Sequence, residues 1–187
     1  MAEPSQHEPK IRLQGRVLLA SPVLSDGVFD HSVIFLAEHD PKQGAFGLIL
    51  NHPTGQTVGE LLSGDEFEPL RHLAVHFGGP VSNNNLTFSA FWWNEQKGLR
   101  SAIRISAEDA VHHAKRPGAL VRAFAGYSGW SGGQLENELQ RDSWIVTPAP
   151  PTLLGTAHDQ HLWTSILRGL SPYHRILAEA PKNPLAN

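Results

Sequence analysis

The sequence predicts an α+β fold, a single domain in which a mixed, curved β-sheet is flanked by about four helices. Three observations point there. Short apolar segments alternate with turn clusters along nearly the whole chain. Helical stripes and cap signals interrupt them in irregular order, without the repeat that marks βαβ units. No long linker divides the 187 residues, a length at which one domain is the default.

Val17-Leu18-Leu19-Ala20 reads as a strand closed by Ser21-Pro22. The runs 33–37 and 45–50 are continuously apolar, which predicts strands buried on both faces, and 38–44 joins them as a hairpin connection. After Asn51-His52-Pro53, Thr57 and Glu60 stand in capping-box spacing and start a short helix through Leu62. Residues 73–77 form a strand closed by Gly78-Gly79-Pro80, and 86–90 and 102–105 are further strands. Ser106, with Asp109 three residues on, caps a helix to about Arg116. Its apolar face is Ala107, Ala110, Val111 and Ala114, and Pro117-Gly118 stops it.

The segment 120–125 returns as a strand and runs into a glycine-rich loop, Gly126 to Gly133. Ser131 and Gln134, again in capping-box spacing, open a helix through Leu135 and Leu139. Trp144-Ile145-Val146 is a strand ending at Pro148. The last helix carries Leu162, Trp163, Ile166, Leu167 and Leu170 on one stripe and stops between Gly169 and Pro172. Residues 1–10 and 176–187 read as tails around a domain of 11–175.

Composition excludes several functions. Without cysteine there is no disulfide scaffold, thiol nucleophile or thiolate metal site. The net charge is −3, and the densest basic group is Lys115-Arg116 with Arg122 nearby, which argues against nucleic-acid binding through phosphates. Charged residues are 18% of the chain, below the usual quarter, so neutral surface is left for self-association into a homo-oligomer. No segment approaches the roughly 18 apolar residues of a membrane span. The first ten residues hold no signal-peptide run, and a cytoplasmic location is the expectation.

The glycine-rich loop carries the main chemical readings. Glycines before a helix N-terminus let backbone N–H groups converge on an anion, although neither a Walker lysine nor a dinucleotide fingerprint is present and no cofactor is expected. Gly129-Trp130-Ser131-Gly132-Gly133 also fits the nucleophile-elbow pattern G-x-S-x-G, with Asp142 or Asp159 and His158, His161 or His174 to complete a triad. A helix cap is the structural alternative for Ser131. His158-Asp159-x-His161 has spacing that zinc could use with a third ligand, whereas the adjacent His112 and His113 diverge on a helix. Glu136 and Glu138, two apart on a helix, do not face each other and read as solvated rather than as an acid/base pair, and the tryptophans read as core or contact residues.

Four stretches in register resemble the AlgH/YqgE family. They are Gly15–Pro22 continuing through Asp26, Phe29 and His31–Ile34; Glu38-His39 with Gly44–Pro53; Gly78–Val81; and Gly126–Trp130 with Gly133–Glu136, Glu138 and Trp144. Gly27, Gly132 and the segment 88–93 depart from that family's usual pattern, which also does not demand serine at position 131. The resemblance implies a compact α+β fold with a curved mixed sheet in a cytoplasmic bacterial protein, with regulation of transcription attached to some members. It implies no catalytic residues. The reading is therefore a non-enzymatic regulatory or interaction protein with a protein or small-molecule partner. Its binding surface would comprise Tyr127, Trp130, Gly133, Gln134, Glu136, Asn51 and Gly79. A hydrolase using Ser131 and an anion or nucleotide module at 126–136 are the alternatives.

Overall fold

The computed structural model describes residues 12–22, 24, 27–155 and 161–179. Within them lie nine strands in one mixed sheet: β1 (Arg16–Ala20), β2 (Val33–Asp40), β3 (Gly44–Ile49), β4 (Pro53–Thr57), β5 (Ala74–Phe77), β6 (Val81–Asn94), β7 (Gly98–Ile105), β8 (Ala119–Ser131) and β9 (Trp144–Pro148). Five α-helices accompany them: α1 (Val58–Leu61), α2 (Ala107–Ala114), α3 (Gln134–Gln140), α4 (His161–Leu170) and α5 (Pro172–Glu179). The α+β expectation holds.

The order is β4-β5-β8-β3-β2-β1-β9, with β6 joined to β8 and β7 to β6. The β5–β8 pair is parallel and the rest are antiparallel. In the β1–β2–β3 part, alternate residues feed two cores. Val17, Leu19, Val33 and Phe35 face α4, which contributes Leu162, Trp163, Ile166 and Leu167. Leu18, Ala20, Ile34 and Leu36 face the other way, toward Leu135 of α3, Trp130 and Trp144. Burial on both sides is what the continuous apolar runs required. A third core holds Val58, Leu70, Val75, Phe88, Ala110 and Val121, under α1 and α2.

The glycine-rich segment is not a loop. Residues through Ser131 belong to β8, which passes from one part of the sheet to the other. Its first half pairs with β5 and β6, at 123–125 and 119–127; its end, 128–131, pairs with β3. The strand turns at Gly126, whose φ of 70° suits glycine. Gly78-Gly79 fits into the bend: a Cβ on Gly79 would stand 2.2 Å from the Tyr127 carbonyl carbon. Glycines that read as a loop are a sheet corner.

Other boundaries also differ. Thr57 and Glu60 do form the capping box that opens α1, and Ser106 caps α2. The cap of α3, however, is Gly133 at φ 76°, not Ser131. Pro172 ends the preceding pattern but begins α5, which runs past residue 175 to Glu179. Strand β4 lacks an apolar pattern and was not expected.

Candidate functional site

The β8 corner positions the main candidate site. It turns Tyr127 onto Phe46 of β3, with ring centroids 4.8 Å apart. Over them lies Arg104, at the end of β7: its guanidinium carbon is 4.0 Å from the Phe46 centroid and 5.2 Å from that of Tyr127. Arg104 is exposed and, among the described residues, has no carboxylate within ion-pair range. Stacking holds the guanidinium by its face and leaves its in-plane N–H donors unspent on the rings.

These three residues wall a cleft of about 640 Å³, whose other boundaries include Gln14, Glu38, His39, Asp40, Gln43, Val81 and Trp130. Asp40 holds the β2–β3 turn by accepting from the Lys42 and Gln43 amides at 2.9 and 3.0 Å. The His39 ring is nearly sealed, with 3% of its side chain exposed, and its Nε2 lies 2.8 Å from Glu136 Oε1. Leu13 N–H reaches Nδ1 at 3.4 Å, which assigns the proton to Nε2 and makes it the donor to Glu136.

The residues singled out from sequence divide into two sets. Tyr127 and Trp130 border the cleft, and Glu136 supports it through His39. Gly79 backs the Tyr127 turn. Asn51 is 2% exposed and is spent on backbone: its Oδ1 accepts from Val33 N–H at 2.8 Å and its Nδ2 donates to His31 O at 2.8 Å. Gly133 caps α3, and Gln134 bonds Ser131 and Glu138. The Ser131 hydroxyl lies 3.2 Å from Gln134 Oε1, an amide partner where a triad would need an imidazole. His161 begins α4, and His158 lies outside the described residues. Among the described residues, no three His, Cys, Asp or Glu side chains converge as a metal site.

Two groups were missed. Arg104 sits in a short alternating stretch, Ala102 to Ile105, where a lone arginine reads as a solvent-facing strand residue. Arg122 interrupts the apolar run 120–125, and that interruption was the available signal. It is 4% exposed; its Nη1 donates to Leu50 O at 2.8 Å, while Nη2 has no hydrogen-bond partner among the described residues. Burial lowers its pKa to about 9. His76, on β5, is pushed down to about 4, first by burial and then by the Arg122 charge. Burial also lowers His52, against an opposing backbone hydrogen bond and charge from Asp30.

Comparison with known proteins identifies relatives of the chain. Residues 17–174 match the family described as AlgH-like. A UPF0301 protein of Streptomyces avermitilis is 33% identical over 94% of this chain and 95% of its own length. One from Shewanella woodyi is 38% identical over 76% and 82%. The solution structure of the AlgH protein from Pseudomonas aeruginosa superposes with a TM-score of 0.62 at 24% identity, covering 97% of this chain and 98% of that one. The crystal structure of protein DIP2367 from Corynebacterium diphtheriae gives 0.69 at 22% identity, over 90% and 93%. At those identities the two structures bear on the fold alone.

Proposed function

The chain belongs to the AlgH-like family, and on that premise we propose that it is a cytoplasmic, non-enzymatic regulatory protein that recognises a small polar ligand in the cleft beside Phe46, Arg104 and Tyr127. The observation that carries this reading is the Arg104 guanidinium stacked at 4.0 Å over Phe46, beside Tyr127, without a carboxylate partner among the described residues. A cleft of about 640 Å³ falls in the range that holds small molecules. The His39 imidazole and the Ser131 hydroxyl are each engaged within the fold, His39 with Glu136 and Ser131 with Gln134. That arrangement supports binding over turnover. A bearing on transcription would then pass from the ligand-bound state to a protein partner, since a net charge of −3 does not favour DNA.

A thermal-shift screen of polar metabolites tests the proposal. Mass action predicts that a ligand at 100 times its Kd raises stability by about 2.7 kcal/mol. The gain should vanish in Tyr127→Ala, provided that variant folds with a near-native melting curve. A screen with no stabilising compound, or one whose hits protect Tyr127→Ala equally, overturns the reading. Trp130→Ala is a poor probe because its indole is buried and holds α3 in place.

A further inference from the structure

The Phe46–Arg104–Tyr127 stack has a second side. There a smaller pocket of about 260 Å³ is lined by Phe46, Ser82, Asn85, Thr87, Arg104, Gly126 and Tyr127. Its polar side chains are three hydroxyls, those of Ser82, Thr87 and Tyr127, with one amide and one guanidinium and no carboxylate among them. The larger cleft contrasts with it, bringing Glu38 and Asp40 to its rim. The same arginine therefore lines a cleft that holds carboxylates and a pocket that holds none.

Two of the four non-glycine residues with positive φ among those described border the smaller pocket: Ser82 at 51° and Arg104 at 55°. Such a conformation is strained for a residue with a side chain and persists where the surroundings enforce it, often at ligand clamps. The β6 register also breaks here, between Val81 and Leu86, which lifts Ser82 and Asn85 out of regular pairing with β8. The break, the strain and a guanidinium without a carboxylate partner among the described residues coincide at one place.

We propose that this pocket is an oxyanion site, taking the phosphate or carboxylate group of the ligand whose remainder lies in the larger cleft. The inference rests on the binding role given to that cleft and names the chemistry of its ligand. Arg104 supplies charge and a planar donor edge, which suits the paired oxygens of such groups. Ser82, Asn85 and Thr87 supply neutral donors, and the ring faces of Phe46 and Tyr127 hold the guanidinium in orientation. This differs from an anion at the start of α3, where the helix has only the seven residues Gln134–Gln140.

The test is an amide-shift NMR titration of the full chain with pyrophosphate and, separately, with citrate, at fixed ionic strength. The expected result is saturable shifts at Ser82, Asn85, Thr87, Arg104 and Gly126, with half-saturation at millimolar concentration or below. Arg104→Gln should weaken binding at least tenfold, and Thr87→Glu should abolish it. Arg116→Gln is the matched control. That arginine also lies over a ring, 5.1 Å from Trp92, but it is not among the residues lining this pocket, and its loss should change nothing. Response to pyrophosphate alone assigns the site to phosphate; response to both assigns it to oxyanions generally. No saturable shift for either by about 10 mM, a range weaker than the millimolar affinity expected, overturns the proposal. So do shifts that persist in Arg104→Gln. If the metabolite screen nevertheless yields an uncharged ligand that needs Tyr127, the oxyanion assignment fails while the cleft reading stands.

Discussion

Trp130 and Glu138 are joined by a hydrogen bond of 2.8 Å from the indole Nε1 to carboxylate Oε2. The same oxygen accepts from Trp144 Nε1 at 2.7 Å, and Oε1 accepts from Gln134 Nε2 at 3.0 Å. One carboxylate thus ties α3 to β8 and β9 at once. Pattern alone placed Glu138 on a solvated helix face; two indoles from separate strands draw it into a half-buried bridge instead.

Removing that acceptor orphans two indole donors in the α3-facing core. Each unsatisfied buried donor costs about 1–3 kcal/mol, so Glu138→Ala should lose about 2–5 kcal/mol in urea unfolding. Glu138→Gln keeps one acceptor oxygen and should lose less than half as much. Equal losses for the two variants would show that packing, rather than the shared carboxylate oxygen, holds the helix.

Gly79 is expected to tolerate no side chain. Its φ is 149°, and an added Cβ would stand 2.2 Å from the Tyr127 carbonyl carbon. Backbone occupies that space, so relief requires moving the β8 corner itself. Gly79→Ala should destabilise by about 3 kcal/mol or more. It should also shift the Tyr127 and Arg104 NMR signals in whatever folded fraction remains. A variant within 1 kcal/mol of the parent, on the scale of ordinary substitutions, would mean the bend is far softer than drawn.

Arg122 is a buried cation with one backbone acceptor, and its lowered pKa reflects the burial of that charge. Breaking a buried ion pair is costly, but here the guanidinium has no carboxylate partner among the described residues. Arg122→Met keeps an unbranched apolar stem and removes the desolvated charge. Stability at pH 7 should stay level or rise by about 1–2 kcal/mol in chemical denaturation, as buried charges replaced by hydrophobic residues often show. A loss above about 2 kcal/mol would instead make the Leu50 carbonyl bond the dominant contribution.

Much of the architecture was readable because burial on both faces leaves an unmistakable pattern. Val33 to Ala37 and the stripe from Leu162 to Leu170 are set by solvent exclusion alone. What sequence hid has definite physical causes. Glycines at a strand corner look like glycines in a loop, since both need positive φ or close backbone approach. Ser82 to Asn85 is polar and exposed, so β6 showed only its apolar stretch from Leu86 to Ala90. Tyr127 and Trp130 could be named as surface candidates, whereas Arg104 could not. Its meaning comes from Phe46 and Tyr127, 58 and 23 positions away in the chain, and no local period links them.

His76 makes stability depend on pH in a defined window. Its imidazole titrates near 6.5 in the unfolded chain and at about 4 in the fold, because burial and the Arg122 charge disfavour the cation. Between those values the unfolded state binds more protons, so stability is complete above about pH 6.5 and falls as pH drops toward 4. At about 1.4 kcal/mol per pKa unit, the loss reaches about 3 kcal/mol across the window. His52 is lowered too and acts in the same direction. Urea unfolding from pH 7.5 down to 4.5 should show this slope, and His76→Phe should flatten it by close to one proton. In Arg122→Met the slope should shrink only in part, since burial is the larger cause and persists without the arginine. A parent protein as stable at pH 4.5 as at pH 7.5 would mean that the buried imidazole finds a partner for its proton, and that the His76 pocket opens to water at low pH.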